Sequence, residues 1–205
     1  MMWARAITSK IILPTSRLAK PKRPWRDEHA SQIVEFALSL PLLVFLVVGI
    51  FDFSNALTLK QRLTNAAREA ARVAAADPAT DLVSPSAAVP VSVGDAFQVV
   101  DDYLITEQIN DCGLSTASAT NTGPNPLTWT YTSTGTCPGS GITLIINRGC
   151  TSIMNTTAGV VNIIGTCVEL DYPYKWEFNN VAGSLGYTAS GPSTIVVKAG
   201  TLNEN

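Results

Sequence analysis

The sequence predicts an α+β protein in which one long N-terminal helix packs through its second half on a small antiparallel sheet, with a second short helix beside it. Three observations predict this class. Residues 31–76 keep a helical pattern that is apolar in its first half and amphipathic in its second. A shorter amphipathic pattern follows at 92–111. Beyond it lie four strand-like runs, at 127–133, 142–148, 163–178 and 193–200.

The first half of the long helix has the composition of a membrane span. Phe36–Phe51 contains no charge, but a helix of this length rises only about 24 Å, short of a hydrocarbon core of about 30 Å. Ile33–Phe53 is long enough, and it places Glu35 and Asp52 near the two membrane faces, where an acid costs least. Asp52 is therefore expected to be a water-exposed marker of the outer face. Pro41 removes one backbone donor and predicts a bend.

Charge predicts the orientation of this span. Residues 1–30 carry seven basic and two acidic side chains, whereas residues 31–205 carry seven basic and fourteen acidic ones. The positive-inside rule then keeps residues 1–30 cytoplasmic as a basic leader, makes 31–54 the single span and places 55–205 outside as a head. Because the basic side chains are dispersed and precede a hydrophobic span, they indicate a topology signal and no nucleic-acid partner.

The cysteines agree with export. All four, Cys112, Cys137, Cys150 and Cys167, fall in the head, and no two form a CxxC pair. A zinc site would need all four thiolates, so two disulfides are the better interpretation. Of the three possible pairings, Cys112 with Cys137 and Cys150 with Cys167 are favoured because chain neighbours meet most easily. The alternative is that one pair remains as buried thiols.

The second half of the long helix carries an alanine-rich stripe. Its small and apolar residues recur at spacings of three and four, which places them on one side of the helix; they are Leu59, Leu63, Ala66, Ala67, Ala70, Val73 and Ala74. Asp77 and Pro78 end the pattern. The stripe suits either the sheet of the same chain or a neighbouring subunit, and the sequence leaves both open.

The remaining elements have weaker signals. Ser92 with Asp95 three residues later predicts the start of the second helix. Residues 115–141 are rich in turn-forming residues and predict a long surface loop around one short strand. Pro173 is expected to bend or break the run at 163–178.

Catalytic chemistry has little support in the head. The one histidine, His29, lies in the leader, and neither a phosphate-binding GxxxxGK nor a GxGxxG motif is present. The carboxylates Asp101, Asp102, Glu169 and Asp171 are interpreted as solvated surface groups, and the aromatic residues of the strands as core. The sequence therefore predicts a protein that is not an enzyme, with no cofactor, metal site or small-molecule substrate.

One stretch resembles a known family. Gln32–Ala75 contains, in order, VEFAL, a proline inside the apolar run, Gly-Ile followed by an acid, and TNAAREAAR. This order resembles the N-terminal signature of TadE-like proteins, pseudopilin-like components of the tight adherence (Flp) pilus apparatus. VELDYPYKWEF and the last strand resemble the closing strands of the family more loosely, and residues 112–160 show no usable match. The resemblance implies a pilin-like form of the α+β fold.

The resemblance also implies processing and assembly residues. A prepilin peptidase would cut between Ala30 and Ser31, which makes Glu35 the fifth residue of the mature chain. The family usually has glycine at the position of Ala30, although another small residue fits a narrow pocket. Glu35 would pair with the new α-amino group of a neighbouring subunit, the alternative being an acid that reaches the headgroups. Pro41 is carried over as a second assembly residue.

The function that follows is that of a minor pilin or pseudopilin in the inner (cytoplasmic) membrane, active in pilus assembly and surface adhesion. Its expected partners are the membrane, other pilin-like subunits, pilus assembly proteins and the prepilin peptidase. Two alternatives remain. One is a permanently anchored accessory protein of the same machinery that never enters a filament. The other is a secreted, disulfide-containing binding domain, released by a signal peptidase that cuts after the small-x-small sequence Ser54-Asn55-Ala56.

Overall fold

A computed structural model shows the α+β class that the sequence predicts, a long helix followed by a five-stranded antiparallel sheet and shorter helices. It describes residues 28–82, 88–121, 126–133, 135, 137, 141–156, 159–184, 186 and 193–203. The helices are α1 (Glu28–Ala76), α2 (Val91–Thr106) and α3 (Glu177–Ser184). The strands are β1 (Ala119–Thr120), β2 (Thr128–Thr132), β3 (Thr143–Thr156), β4 (Gly159–Pro173) and β5 (Thr194–Leu202).

Two compact units make up the described chain. One ends at Leu42 and contains the beginning of α1, and the other runs from Leu43 to the C-terminal end. Among the described residues, α1 contains the one segment long and apolar enough to cross a membrane, and no residue in its most apolar stretch is buried.

The sheet is a meander in which each strand pairs with the next, in the order β1-β2-β3-β4-β5. Side chains alternate between its two faces, as the pleat of a strand requires. One face is buried, and its members include Trp129, Tyr131, Leu144, Ile146, Val168, Leu170 and Val197. The predicted core role of the aromatic pair in β2 is confirmed by this burial.

The alanine-rich stripe of α1 contributes to the same core. Most of its members are less than 3% exposed, together with two alanines that continue the spacing; the buried set is Leu63, Ala66, Ala67, Ala70, Ala71, Ala74 and Ala75. Alanine side chains let other elements approach the helix backbone closely. In this chain the stripe packs within its own head, on a cluster that α2 and the inner face of the sheet complete.

The second helix begins and ends differently from the prediction. Its N-cap is Pro90, and Ser92 makes no cap hydrogen bond with its side chain. The Ser92 amide donates instead to Asp81 Oδ2 at 2.9 Å, so an acid from the preceding turn satisfies one free N–H of the first turn. The helix ends at Thr106, five residues earlier than predicted, because Gln108 adopts a left-handed backbone with φ 56°.

Candidate functional site

Asp52 makes a polar contact between α1 and the segment that follows the fourth strand. Its side chain is only 5% exposed. Asp52 Oδ1 accepts a hydrogen bond from the Tyr174 hydroxyl at 2.9 Å, and Oδ2 accepts one from the Phe178 amide at 3.0 Å. The prediction that Asp52 is exposed to water is wrong, because segments more than 120 residues away in the chain fold over it. Its position at the outer membrane face stays a prediction.

The position of Phe178 explains why a carboxylate fits there. Phe178 is the second residue of α3, and the first N–H groups of a helix have no partner inside it. The amino end of a helix also carries a partial positive charge that favours an anion. Asp52 therefore acts as a capping group for α3, supplied by α1 rather than by the residues that precede α3.

Tyr174 is positioned by the end of β4. Pro173 closes that strand, as the sequence predicts, and the Tyr174 hydroxyl then reaches both the carboxylate and the backbone carbonyl of Asp52, the latter at 3.2 Å. Burial, followed by the hydrogen bond and the negative charge of Asp52, raises the pKa of Tyr174 to about 12; Glu177 adds a smaller repulsion. The phenol is thus held neutral, as a hydrogen-bond donor.

Apolar contacts surround the polar pair. The rings of Phe45 and Phe178 lie with their centroids 4.3 Å apart. Gly49 lies beside the same ring: a Cβ added there would meet Phe178 Cε2 at 3.6 Å. We call the set Phe45, Gly49, Asp52, Tyr174 and Phe178 the Asp52 junction.

A second polar cluster fixes the far end of α1. Arg148 on β3 is 1% exposed, and it donates to the Asp77 carbonyl at 3.0 Å and to Thr166 Oγ1 at 3.2 Å. Thr166 donates in turn to Asn203 Oδ1 at 2.7 Å. Burial lowers the pKa of Arg148, opposed by the charges of Asp81 and Asp77. Polar groups thus attach the head to α1 near both ends of their contact.

The structure pairs the cysteines as chain proximity favoured. Cys112 bonds Cys137, with their Cα atoms 5.1 Å apart, and Cys150 bonds Cys167, with their Cα atoms 5.9 Å apart. The second bond joins β3 to β4 beside the register shift between Asn147 and Cys150. Each closes a loop of roughly 20 residues and stabilises the folded chain by about 3 kcal/mol in the chain-entropy model.

The predicted processing and assembly residues lie near the beginning of α1. The Ala30–Ser31 bond falls within its first turn, because the helix begins at Glu28. Glu35 and Pro41 are exposed along this unit. Their proposed roles, and cleavage at Ala30, stay predictions.

Two of the four head carboxylates, Asp101 and Asp171, are less solvated than the sequence predicts, whereas Asp102 is exposed as predicted. Burial, followed by repulsion from Asp111 and Asp102, raises the pKa of Asp101. Burial and Glu169 raise that of Asp171, although Lys198 opposes them. Among the described residues, no group of three or more His, Cys, Asp or Glu side chains is placed to hold a metal ion.

Comparison with known proteins gives one finding on the first helix. The family model described as TadE-like protein matches residues 30–72, whereas no curated protein and no solved structure matches the chain. The matched stretch includes Glu35 and Asp52 but neither Tyr174 nor Phe178, the donors that α1 receives from the head. The resemblance predicted from the sequence is confirmed by this match, which identifies residues 30–72 as a TadE-like segment.

Proposed function

We propose that this protein is a minor pilin or pseudopilin of a tight adherence (Flp-type) pilus apparatus, and that it acts in pilus assembly and surface adhesion through association of its first helix with other subunits. The TadE-like match associates the chain with that pilus system. The observation that carries the proposal is the exposure of the apolar half of α1. Ile33, Phe36, Leu38 and Leu42 are between 64% and 75% exposed.

Such a surface is unfavourable in water and needs lipid or another apolar helix around it. The proposed function provides both environments, lipid before assembly and other pilin-like helices after it. It is stored in the inner membrane as a single-pass protein, with its basic leader in the cytoplasm and its head outside. It is then processed at Ala30 by a prepilin peptidase, and it associates with pilin-like subunits and assembly proteins through α1.

The proposed role is assembly rather than catalysis, and it needs no cofactor. The head offers rigidity for this role. Two disulfides and the hydrogen bonds of the buried Arg148 stabilise the head, and the Asp52 junction fixes it to α1.

The structure argues against release as a secreted domain. A cut after Ala56 would remove Phe45, Gly49 and Asp52 from the chain. The Tyr174 hydroxyl and the Phe178 amide would lose their acceptor, and the Phe178 ring its contact. The freed donors and the Phe178 ring would then be exposed to water, and the contacts that hold α3 against α1 would be lost.

Intact-mass measurement on protein isolated from membranes tests the processing step. We expect the mature chain to begin at Ser31, and at Met1 in cells that lack the prepilin peptidase. Ala30→Leu should block the cut, because a large side chain overfills a pocket for a small one, whereas Ala30→Gly should preserve it. A chain that begins at Leu57 would refute the proposal.

Presence in the filament is tested separately. We expect the processed chain in sheared surface pili and a loss of pili when the protein is absent. A processed chain that is needed for pili but absent from every sheared fraction would favour the permanently anchored accessory protein.

A further inference from the structure

We propose that the segment Tyr174–Ser184, consisting of the residues after β4 and all of α3, lies in the outer leaflet of the membrane, among the headgroups and the first part of the acyl chains. We call it the interfacial segment. The inference rests on the proposed function in one respect, namely that α1 spans a bilayer. It adds that the head itself enters that bilayer beside the span.

The depth of the contact on α1 is the first argument. Phe178 packs on Phe45, which precedes Asp52 by seven residues, or about 10 Å along a helix axis. Phe45 lies well inside the predicted span 31–54. Part of the head therefore covers a side of α1 that the sequence assigns to the hydrocarbon region.

The second argument is that the Asp52 carboxylate is not exposed to water. Its carboxylate receives two hydrogen bonds from the head and is almost wholly buried, so lipid can surround this level of the helix without contacting a bare charge. Exposed apolar side chains continue beyond it. Phe51 is 67% exposed, Phe53 58% and Leu57 46%. The next charged residue of α1 is Lys60, which is exposed. Exposed Ser54, Asn55 and Thr58 lie among these apolar side chains, and such a mixture of polar and apolar surface suits the headgroup region of a bilayer.

The opposite placement, with Phe45–Asp52 in water, fails on length and charge. A span that ended at Val44 would need about 20 residues, which takes it back to Trp25. It would then enclose Arg26, Asp27, Glu28 and Glu35, which are costly in hydrocarbon. If the chain is cut at Ala30, the remaining residues up to Val44 rise only about 21 Å, too short for a core of about 30 Å.

The chemistry of the interfacial segment suits a headgroup region. Tyr174 and Trp176 pack edge to face with their centroids 5.0 Å apart, and amphipathic aromatic rings concentrate at membrane interfaces. Lys175 between them is exposed and can reach lipid phosphates. The outer-leaflet bilayer, rather than a second copy of the chain, is thus the occupant to which we commit.

Quenching of Trp176 fluorescence by brominated lipid tests the proposal. The full chain carries Trp3→Phe and Trp25→Phe, which leaves Trp129, buried in the core at 1% exposure, and Trp176. It is reconstituted in phosphatidylcholine–phosphatidylglycerol vesicles whose acyl chains carry bromine either near the glycerol or near the bilayer centre. Subtracting the emission of a matched Trp176→Phe variant isolates Trp176. We expect shallow bromine to lower this component about twofold and deep bromine to lower it less, as for a ring at headgroup level.

A depth control comes from the far end of the head. The Asp81–Ser92 bond and the Arg62–Glu107 ion pair show that α2 runs antiparallel to α1, so Val91 lies at the level where α1 ends. That level is about 37 Å along α1 from Asp52. Val91 is 69% exposed, and Val91→Trp in the Trp176→Phe background should not be quenched.

The outcomes separate this inference from the proposed function. If the chain floats with the vesicles and Trp176 is not quenched, the inference is overturned and the anchor stands. If the unquenched emission instead changes with the protein-to-lipid ratio, the segment contacts a second copy, which also overturns it. If the chain does not float at all, the anchor fails and both proposals fall.

Discussion

Glu35 and Asp52 are the two acids of the apolar half of α1, and they differ in what surrounds them. Asp52 is 5% exposed and accepts hydrogen bonds from Tyr174 and Phe178. Glu35 is exposed, and it makes no hydrogen bond or ion pair with the described residues. Hydrogen bonds within one copy of the chain thus offset the free-energy cost of burying the Asp52 carboxylate. For Glu35, the cost of placing a carboxylate beside an apolar stretch must be offset by another molecule or by the membrane face. The comparison places Asp52 in the fold, whereas the assembly role of Glu35 stays a prediction.

The largest effect is expected from Glu35→Gln, which removes the charge and keeps the shape. Loss of one member of an ion pair in a low-dielectric setting costs about 3 kcal/mol, or about a hundredfold in association between copies. The free energy of unfolding of the head should change by less than about 0.5 kcal/mol. Energy transfer between labelled copies in vesicles measures the first quantity, and urea titration the second.

Glu69→Gln is the matched control for that experiment. Glu69 lies on the same helix, and its ion pair with Arg72 is exposed, so its removal should leave association almost unchanged. Equal losses for the two variants would show that Glu35 has no special role between copies.

Asp52→Ala should act in the opposite way, on the fold and not on association. It leaves the Tyr174 hydroxyl and the Phe178 amide without an acceptor and costs the head about 2–3 kcal/mol in urea titration of the detergent-solubilised, disulfide-intact protein. Asp52→Asn retains one acceptor oxygen and should cost about half as much. A change within about 0.5 kcal/mol for Asp52→Ala would remove the distinction between the two acids.

The pH dependence of Tyr174 sharpens the same distinction. Its pKa, about 12, lies above the ordinary value of 10.0. A raised pKa means that the stabilisation is fully present below pH 10 and is lost as the pH rises through 12. In Asp52→Asn, burial still raises the pKa of Tyr174 but the charge is gone, so the value should fall and stay above 10.

Phenolate absorbance follows this titration, with Tyr174→Phe as the blank for the other tyrosines. An unchanged pKa of Tyr174 in Asp52→Asn would show that Asp52 does not interact with the phenol in solution.

The fold was predictable from sequence wherever local pattern decides it. The apolar and amphipathic halves of α1, the end at Asp77 and the core strands all have periodicities that a short window reveals. Boundaries were less predictable, because alternative groups compete for the same role. Ser92 is a good capping residue by type, yet Asp81 is the side chain that the turn brings to the helix. The sequence predicts no helix at α3, because its first two residues lie in the strand-like run 163–178, although Glu177 in the first turn is a weak helix signal.

The Asp52 junction lay outside what a local pattern can report. Tyr174 and Phe178 are 122 and 126 residues from Asp52 in the chain, and only the folded head brings them there. The sequence carried one signal, the position of Asp52 at the end of an apolar run, because a carboxylate there needs either water or hydrogen-bond donors. The sequence offered a water boundary as the simplest solution, and the chain uses an internal donor pair instead.

The smallest effect is expected from Gly49→Ala, and this variant tests whether the two acids act independently. A Cβ there would meet Phe178 at 3.6 and 3.7 Å, which are ordinary contact distances. Gly49→Ala should therefore stabilise the head by about 0.5–1 kcal/mol through lower backbone entropy in the unfolded chain.

Gly49→Leu overfills the same space and should cost about 1–3 kcal/mol. If the ring of Phe178 is held by Asp52, the gain from alanine should shrink in the Asp52→Ala background, with a coupling above about 0.5 kcal/mol. The gain in stability from Gly49→Ala should be unchanged in the Glu35→Gln background. If the effect of Gly49→Ala were coupled to Glu35→Gln instead, association between copies would affect the stability of the head. Glu35 and Asp52 would then not act independently.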